Sequence, residues 1–401
     1  MDTPTTRPQA DDLLAGPRGR RVLLEFLTGA EQPTDPDGGF PLSRAVGTVA
    51  DDLDPQRDRR ARYVRIVSDG DDAAGDDGDD PGTTSAAPET SETPETPDTP
   101  EAVARIIADA LAAGPPLPDP TAESLDSALD LSVNAAMYWQ EPDGYDALAA
   151  HPAVREALRP VAEHLAASPV TDWWWSTPDL TDQWSVSWGR SDADADPVPD
   201  IPPEKRAANL RDWSAETRAA EQRYDTGPER RRAPEDAPGG NWWSLPLWCV
   251  PTSSRRWPGS AGPSDPVQAL FIEDRWEDDF CAGRFTPPAE SRILEITGAD
   301  DWAALCREFP LEVTWSYRGE WYEVTGRDSR EAGPWLVPDW SQVAQEWDAV
   351  HLTVTGYLAA ATRCIPVPGA VGATGTAGTT GGAEAASVIG GCGPDVTYWL
   401  A

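Results

Sequence analysis

An α+β fold is what this sequence predicts: a helical amino-terminal unit followed by a tryptophan-rich mixed α/β domain, with acidic and Gly/Thr-rich inserts expected to stay disordered. Three observations carry that reading. Apolar side chains recur at three- and four-residue steps between residues 102 and 168, alternating ones recur after Asn241, and long stretches between them hold hardly any apolar residue.

Residues 11–66 form a small folded segment, in which DDLLAGPRGRRVLLEFL is an apolar run broken by a Gly-Pro-Arg-Gly turn and RYVRIV is a strand. Residues 67–101 are an acidic linker of Asp, Gly, Ser, Thr and Pro, too poor in apolar groups to offset the entropy of ordering its backbone. Its Asp-Gly spacing lacks the pattern of an EF-hand.

Residues 102–168 read as a helical unit. Val103, Ile106, Ile107 and Leu111 line one helix, and Leu125, Leu129, Val133 and Met137 line a second that Thr121 can cap. A third runs from Pro152, with Pro160 as a point of division. His151 and His164 read as capping or surface residues.

Residues 169–225 hold a Trp-rich strand and a charged helix. In TDWWWSTPDLTDQWSVSW the rings could stack on a ligand, but the expectation favoured here is packing, with Trp184, Val186 and Trp188 on the buried face of a strand. Residues 241–401 are the mixed α/β domain, in which WWSLPLWCV, VQALFIEDRW, CAGRF, RILEI, EWYEV, CIPV, ASVI and VTYWL read as strands and 368–386 as a flexible loop.

Within that domain DWAALCREF and DWSQVAQEW share their apolar offsets, an Asp-Trp start and a Glu at the eighth position, and each leads into an alternating strand. The second strand belongs to EWDAVHLTVTGYL, which puts His351, Thr353 and Thr355 on one face; Glu312 and Thr314 hold the equivalent places in the first. An outward polar side chain, rather than a histidine as such, is what the comparison asks for.

Composition removes several functions. The formal charge of −37 disfavours nucleic acid and anionic membranes as partners, since both are held by cationic side chains. Lys205 is the one lysine, so a P-loop or Schiff-base chemistry has no residue to use. Five dispersed cysteines, with no CxxC and no HExxH, give no metal site and no disulfide framework. Neither a leader nor a long apolar run is evident, which makes a cytoplasmic protein the expectation.

Two resemblances follow from particular residues. LLAGPRGRR, MYWQEPDG, the Asp-Trp helices, WDAVHLTVTGYL and PDVTYWL together resemble an uncharacterised family of acidic, tryptophan-rich proteins from high-GC bacteria, which implies no function. Arg292 on RILEI, Thr353-Val-Thr355 before GYLAAA, and Asp395 before VTYWL are similar in order to the NAD-binding and catalytic positions of ADP-ribosyltransferase-like domains. That second resemblance implies NAD as substrate, with Arg292 orienting it, the Thr353 and Thr355 hydroxyls supporting the nicotinamide pocket, and Asp395 stabilising the oxocarbenium-like transition state; His351 on the same strand face is the general-base or ligand-contact candidate. The acid is Asp where that family has Glu.

The leading expectation is a protein that binds a protein or small-molecule partner without catalysis and without a cofactor. The alternative is an ADP-ribosyltransferase-like or NAD-hydrolysing enzyme built on Arg292, His351, Thr353, Thr355 and Asp395.

Overall fold

The computed structural model describes residues 9–33, 39–57, 99–188, 201–237, 239–258, 265–274, 280–370 and 384–401. In chain order the helices are α1 (Ala10–Ala15), α2 (Pro17–Gly29), α3 (Pro41–Leu53), α4 (Pro100–Ala113), α5 (Ala122–Asn134), α6 (Gly144–Ala150), α7 (Pro152–Ala157), α8 (Arg159–Ala166), α9 (Pro203–Thr226), α10 (Val267–Leu270), α11 (Ala299–Glu308), α12 (Arg318–Thr325), α13 (Ser329–Ala332), α14 (Trp340–Glu346) and α15 (Val354–Ala360). The strands are β1 (Gln183–Trp188), β2 (Thr252–Ser253), β3 (Phe280–Phe285), β4 (Ile293–Ile296), β5 (Pro310–Glu312), β6 (Leu336–Pro338), β7 (Ala349–Leu352), β8 (Ile365–Pro366), β9 (Ala386–Ser387) and β10 (Val396–Trp399). The fold class is α+β.

The chain forms two compact units, each discontinuous in sequence. The smaller comprises residues 31–114 and 142–157 and is helical, built from α3, α4, α6 and α7. Phe40 at the start of α3 offers no capping oxygen, and the carboxylate of Glu31 substitutes for one, accepting from the Leu42 and Ser43 amides at 2.7 and 2.8 Å. Thr99 and Asp143 cap α4 and α6 in the ordinary way.

The larger unit takes residues 1–30, 115–141 and 158–401. Its central sheet has the order β2-β10-β7-β4, with β4 parallel to β7 and β10 antiparallel to both β7 and β2. Helices α1 and α2 pack on α15, which leads directly out of β7, and α2 packs on α5. Arg18 ties α2 to α5: it is buried, its guanidinium donates to the Ser132 carbonyl at 2.5 Å, and the Ser132 hydroxyl donates back to the Arg18 carbonyl at 2.7 Å. Three two-stranded sheets flank the central one, β1–β3, β5–β6 and β8–β9.

Tryptophan is chiefly a packing residue. Trp174, Trp302, Trp321, Trp335, Trp340 and Trp399 are fully buried, and Trp321 and Trp335 meet edge-on at 5.1 Å in a cluster with Leu311, Val313, Tyr317 and Val337. At about 25 cal/mol per Å² and 150–250 Å² per ring, each such side chain contributes on the order of 4–6 kcal/mol against a fully extended chain, an upper bound.

Several expectations need correction. The helical stretch 102–168 is not one unit: α4, α6 and α7 belong to the smaller body, α5 and α8 to the larger, because an apolar stripe says that a helix is covered but not by what. EWYEV is α12 rather than a strand, since Tyr317, Trp321 and Val324 bury one helical side. WWSLPLWCV is a series of turns, VQAL is the short helix α10, and TDWWW is the end of a 3₁₀ turn, Pro169–Trp175.

The Asp-Trp echo is partial. Asp339 caps α14 through the Ser341 amide, whereas Gly298 caps α11 and Asp301 lies inside that helix, accepting from the Thr297 amide at 2.8 Å. Their strands also serve different sheets, β5 pairing with β6 and β7 sitting centrally between β10 and β4. RYVRIV, residues 67–98 of the linker and residues 371–383 of the Gly/Thr loop lie outside the described residues.

Candidate functional site

The strand β7 ends at Leu352, so Thr353 and Thr355 are not strand residues. Thr353 is the N-cap of α15, its hydroxyl accepting from the Gly356 amide at 2.9 Å and donating to the Ile296 carbonyl at 3.3 Å. Thr355 donates to the Trp174 carbonyl at 2.9 Å. Both are buried, and their hydroxyls are committed to the backbone.

His351 is not outward either. It is 0% exposed, because β7 is flanked by strands on both sides and all four of its residues are buried. Its Nδ1 lies 2.9 Å from the Thr397 hydroxyl on β10, and its Nε2 makes no hydrogen bond, with a carboxylate oxygen of Asp395 at 3.8 Å. Burial, helped by the nearby Arg255 charge, pulls the imidazole down to about 3.

The neutral histidine has a measurable consequence. Its folded pKa lies below the ordinary 6.5, so the unfolded chain takes up a proton that the folded chain refuses. The stability it contributes is present above pH 6.5 and is lost as pH falls toward 3. Relative to wild type, His351→Leu should therefore gain roughly 2 kcal/mol between pH 6.5 and pH 5 in urea unfolding. A difference that stays constant over that range would show that His351 is not held neutral.

Asp395 sits where β10 begins, at a left-handed φ of 57°, and is the anchor of this cluster. One carboxylate oxygen accepts from Arg255 Nε at 2.9 Å and the other from the Arg255 backbone N–H at 3.0 Å. Burial pushes this carboxyl up to about 6, and the arginine opposes that rise. The guanidinium also donates to the Thr177 carbonyl at 3.0 Å and lies over the Trp173 ring.

Arg292 is elsewhere. It precedes β4, is exposed, and pairs with Asp348 just ahead of β7, whereas Thr353 and Asp395 lie beyond the other end of β7. Five residues of extended chain place them on the order of 16 Å apart. The structure thus gathers His351, Thr353 and Asp395, sets Thr355 one step into α15, and leaves Arg292 out. The arginine beside Asp395 is Arg255, from a segment without periodicity, which nothing in the sequence marked.

An open space lies on a different part of the same unit. A cavity of about 690 Å³ is bounded by β1 and β3, by the 243–252 segment, by Phe271, Ile272 and Glu273, and by Gly391, Gly393, Val396 and Tyr398. None of His351, Thr353, Thr355 and Asp395 lines it. Its walls are strongly aromatic: Trp188, Trp243, Trp248, Phe271, Phe285 and Tyr398.

β1 explains part of this lining. The strand buries Gln183 and Ser185, which bond the Ser253 hydroxyl and the Thr252 carbonyl at 2.6 and 2.9 Å, so Trp184, Val186 and Trp188 are left half-buried. The expectation that those three form the covered face is reversed. Trp173, Trp174 and Trp175 do not form an exposed apolar patch; Trp248, 78% exposed and at a left-handed φ of 62°, is the open tryptophan at the cavity.

Among the described lining residues Glu273 is the acidic one and Arg284 the basic one. Burial, and then the neighbouring Asp274, push the Glu273 carboxyl up to about 7 against the hydrogen bond from its own amide. Arg284 is exposed and donates to the Thr181 carbonyl at 2.7 Å.

Comparison with family models, with curated proteins and with solved structures finds no match for this chain. Among the described residues no group of three or more His, Cys, Asp or Glu side chains could hold a metal ion, and no helix is long and apolar enough to cross a membrane.

Proposed function

We propose that this chain binds a small organic molecule in the aromatic cavity, holding its ligand without transforming it. The single observation that carries the reading is the cavity itself: about 690 Å³, walled by six aromatic rings with a few polar groups at fixed places. Sites for small ligands have this size and this composition, apolar walls supplying affinity and sparse polar atoms supplying orientation. The acidic charge of the chain, −37 overall, supports a partner other than nucleic acid or an anionic lipid surface.

The NAD-dependent alternative draws no comparable support. Its carboxylate is engaged by Arg255, its histidine is buried beside Thr397, and its Arg292 is bound to Asp348.

Binding of the neutral dye N-phenyl-1-naphthylamine, followed by its fluorescence, tests the proposal. Wild type is expected to take up the dye at one site, and Leu247→Trp, which pushes an indole into the cavity from its half-buried rim, is expected to weaken uptake by about tenfold or more. Equal uptake by both proteins, or none by wild type, would reject this cavity as the binding place.

A further inference from the structure

We infer that the cavity ligand is an organic cation, an ammonium or quaternary ammonium compound, caged by Trp188, Trp243, Trp248 and Tyr398 and neutralised by Glu273. This rests on the cavity-binding reading and goes beyond it by fixing the charge of the ligand.

Three features of the lining converge on that class. Aromatic faces are negative at their centres, so several rings around one space attract a cation that has shed its water and hold it more strongly than they hold a neutral group of the same shape. The ring walls come from separate elements, β1, the 243–252 segment and β10, so the rings line the space from more than one side.

The second feature is the carboxylate. Glu273 reaches the cavity from the same segment as Phe271, and among the described residues the influences on its protonation are burial, its own amide and the adjacent Asp274, with no cationic side chain among them. The remaining titratable groups that feel Glu273, namely Tyr138, Tyr357, Tyr398 and Cys392, are buried, and burial holds each of them in its neutral form. Among the described residues, an acid thus stands in a partly buried site with no cationic partner for its charge. A bound cation would supply one.

Third, the basic residue of the lining does not compete. The Arg284 guanidinium is directed to the Thr181 carbonyl at the exposed side of β3. Among the described lining residues, an anionic ligand would have that one arginine to meet and Glu273 to oppose it. The overall charge of −37 raises the local concentration of cations further.

Choline and its neutral carbon isostere 3,3-dimethyl-1-butanol have the same shape and differ in charge. Each is titrated against the full-length protein loaded with N-phenyl-1-naphthylamine, and displacement of the dye is read by fluorescence. Choline is expected to displace it at a concentration at least about tenfold lower than the alcohol, and Glu273→Gln to lose most of that preference while still binding the dye.

Retained dye binding and an unchanged thermal transition certify that the variant is folded. Equal potency of the two probes, no displacement by either, or a preference that survives in Glu273→Gln would overturn the cation assignment while dye binding keeps the cavity reading alive. If wild type fails to bind the dye at all, the cavity reading falls and this inference falls with it.

Discussion

Arg255→Met is expected to lower folding stability by about 3–5 kcal/mol at pH 7.5, the usual cost of removing one member of a buried ion pair and leaving the other charge without a partner. Asp395 is the member left behind, with its side chain 2% exposed and one oxygen bonded to the lost Nε. Methionine keeps the length of the arginine stem and the backbone N–H that bonds the second oxygen, so little but the guanidinium is removed.

The pH dependence separates this cause from lost packing over Trp173. Without the arginine, the Asp395 carboxyl rises further above its ordinary value, beyond the about 6 at which burial and the arginine together hold it. A folded pKa raised above the unfolded one gives a contribution that is intact at low pH and is lost as pH climbs through the folded value. The deficit of Arg255→Met should therefore shrink as pH drops from 7.5 to 5.

Adding Asp395→Asn should restore part of the stability, since the amide is neutral and asparagine tolerates the left-handed φ of 57° at this position. Urea unfolding of the two single variants and the double variant gives the coupling energy directly. A deficit under 1 kcal/mol, or one indifferent to pH, would sink the ion-pair account.

How much of this was legible in the sequence depends on the range of the forces involved. The amphipathic helices α4 and α5 and the strands β1, β3, β4, β7 and β10 are written in local sequence pattern, and α9 in its run of charged helix formers, which is why they were readable. The short apolar runs were not, because five residues of mixed Trp, Tyr and Val fit either period; α12 is helical because its tertiary neighbours cover Tyr317, Trp321 and Val324.

The candidate sites followed the same division. His351 and Thr353 were read within a strand and Asp395 just ahead of another, and they do cluster, since the antiparallel pairing of β10 with β7 sets Asp395 beside the end of β7. Arg255 and Glu273 were missed: one comes from an irregular segment and the other follows a one-turn helix, so only the folded chain brings Arg255 against Asp395 and Glu273 to the cavity.

The LLAGPRG motif gives the second large effect, because its glycine is needed for space and not for an unusual backbone angle. Gly16 has φ −102° and ψ 160°, a conformation open to any residue, yet a β-carbon there would stand 2.2 Å from the Leu358 carbonyl oxygen and 2.5 Å from the Ala359 carbonyl carbon. Both are backbone atoms of α15, with no flexible side chain to yield. The two segments are further clamped by Arg363, whose guanidinium donates to the Ala15 and Ala359 carbonyls at 3.2 Å each. Gly16→Ala must therefore drive α1 and α2 away from α15, and is expected to cost about 3 kcal/mol or more by urea unfolding. Gly47→Ala is the matched control: it lies within α3, its β-carbon would meet only the Tyr145 hydroxyl at 3.6 Å, and the gain in helix propensity should leave the protein equally or slightly more stable. If Gly16→Ala behaved like Gly47→Ala, the close approach of the motif to α15 would not be what the glycine is there to permit.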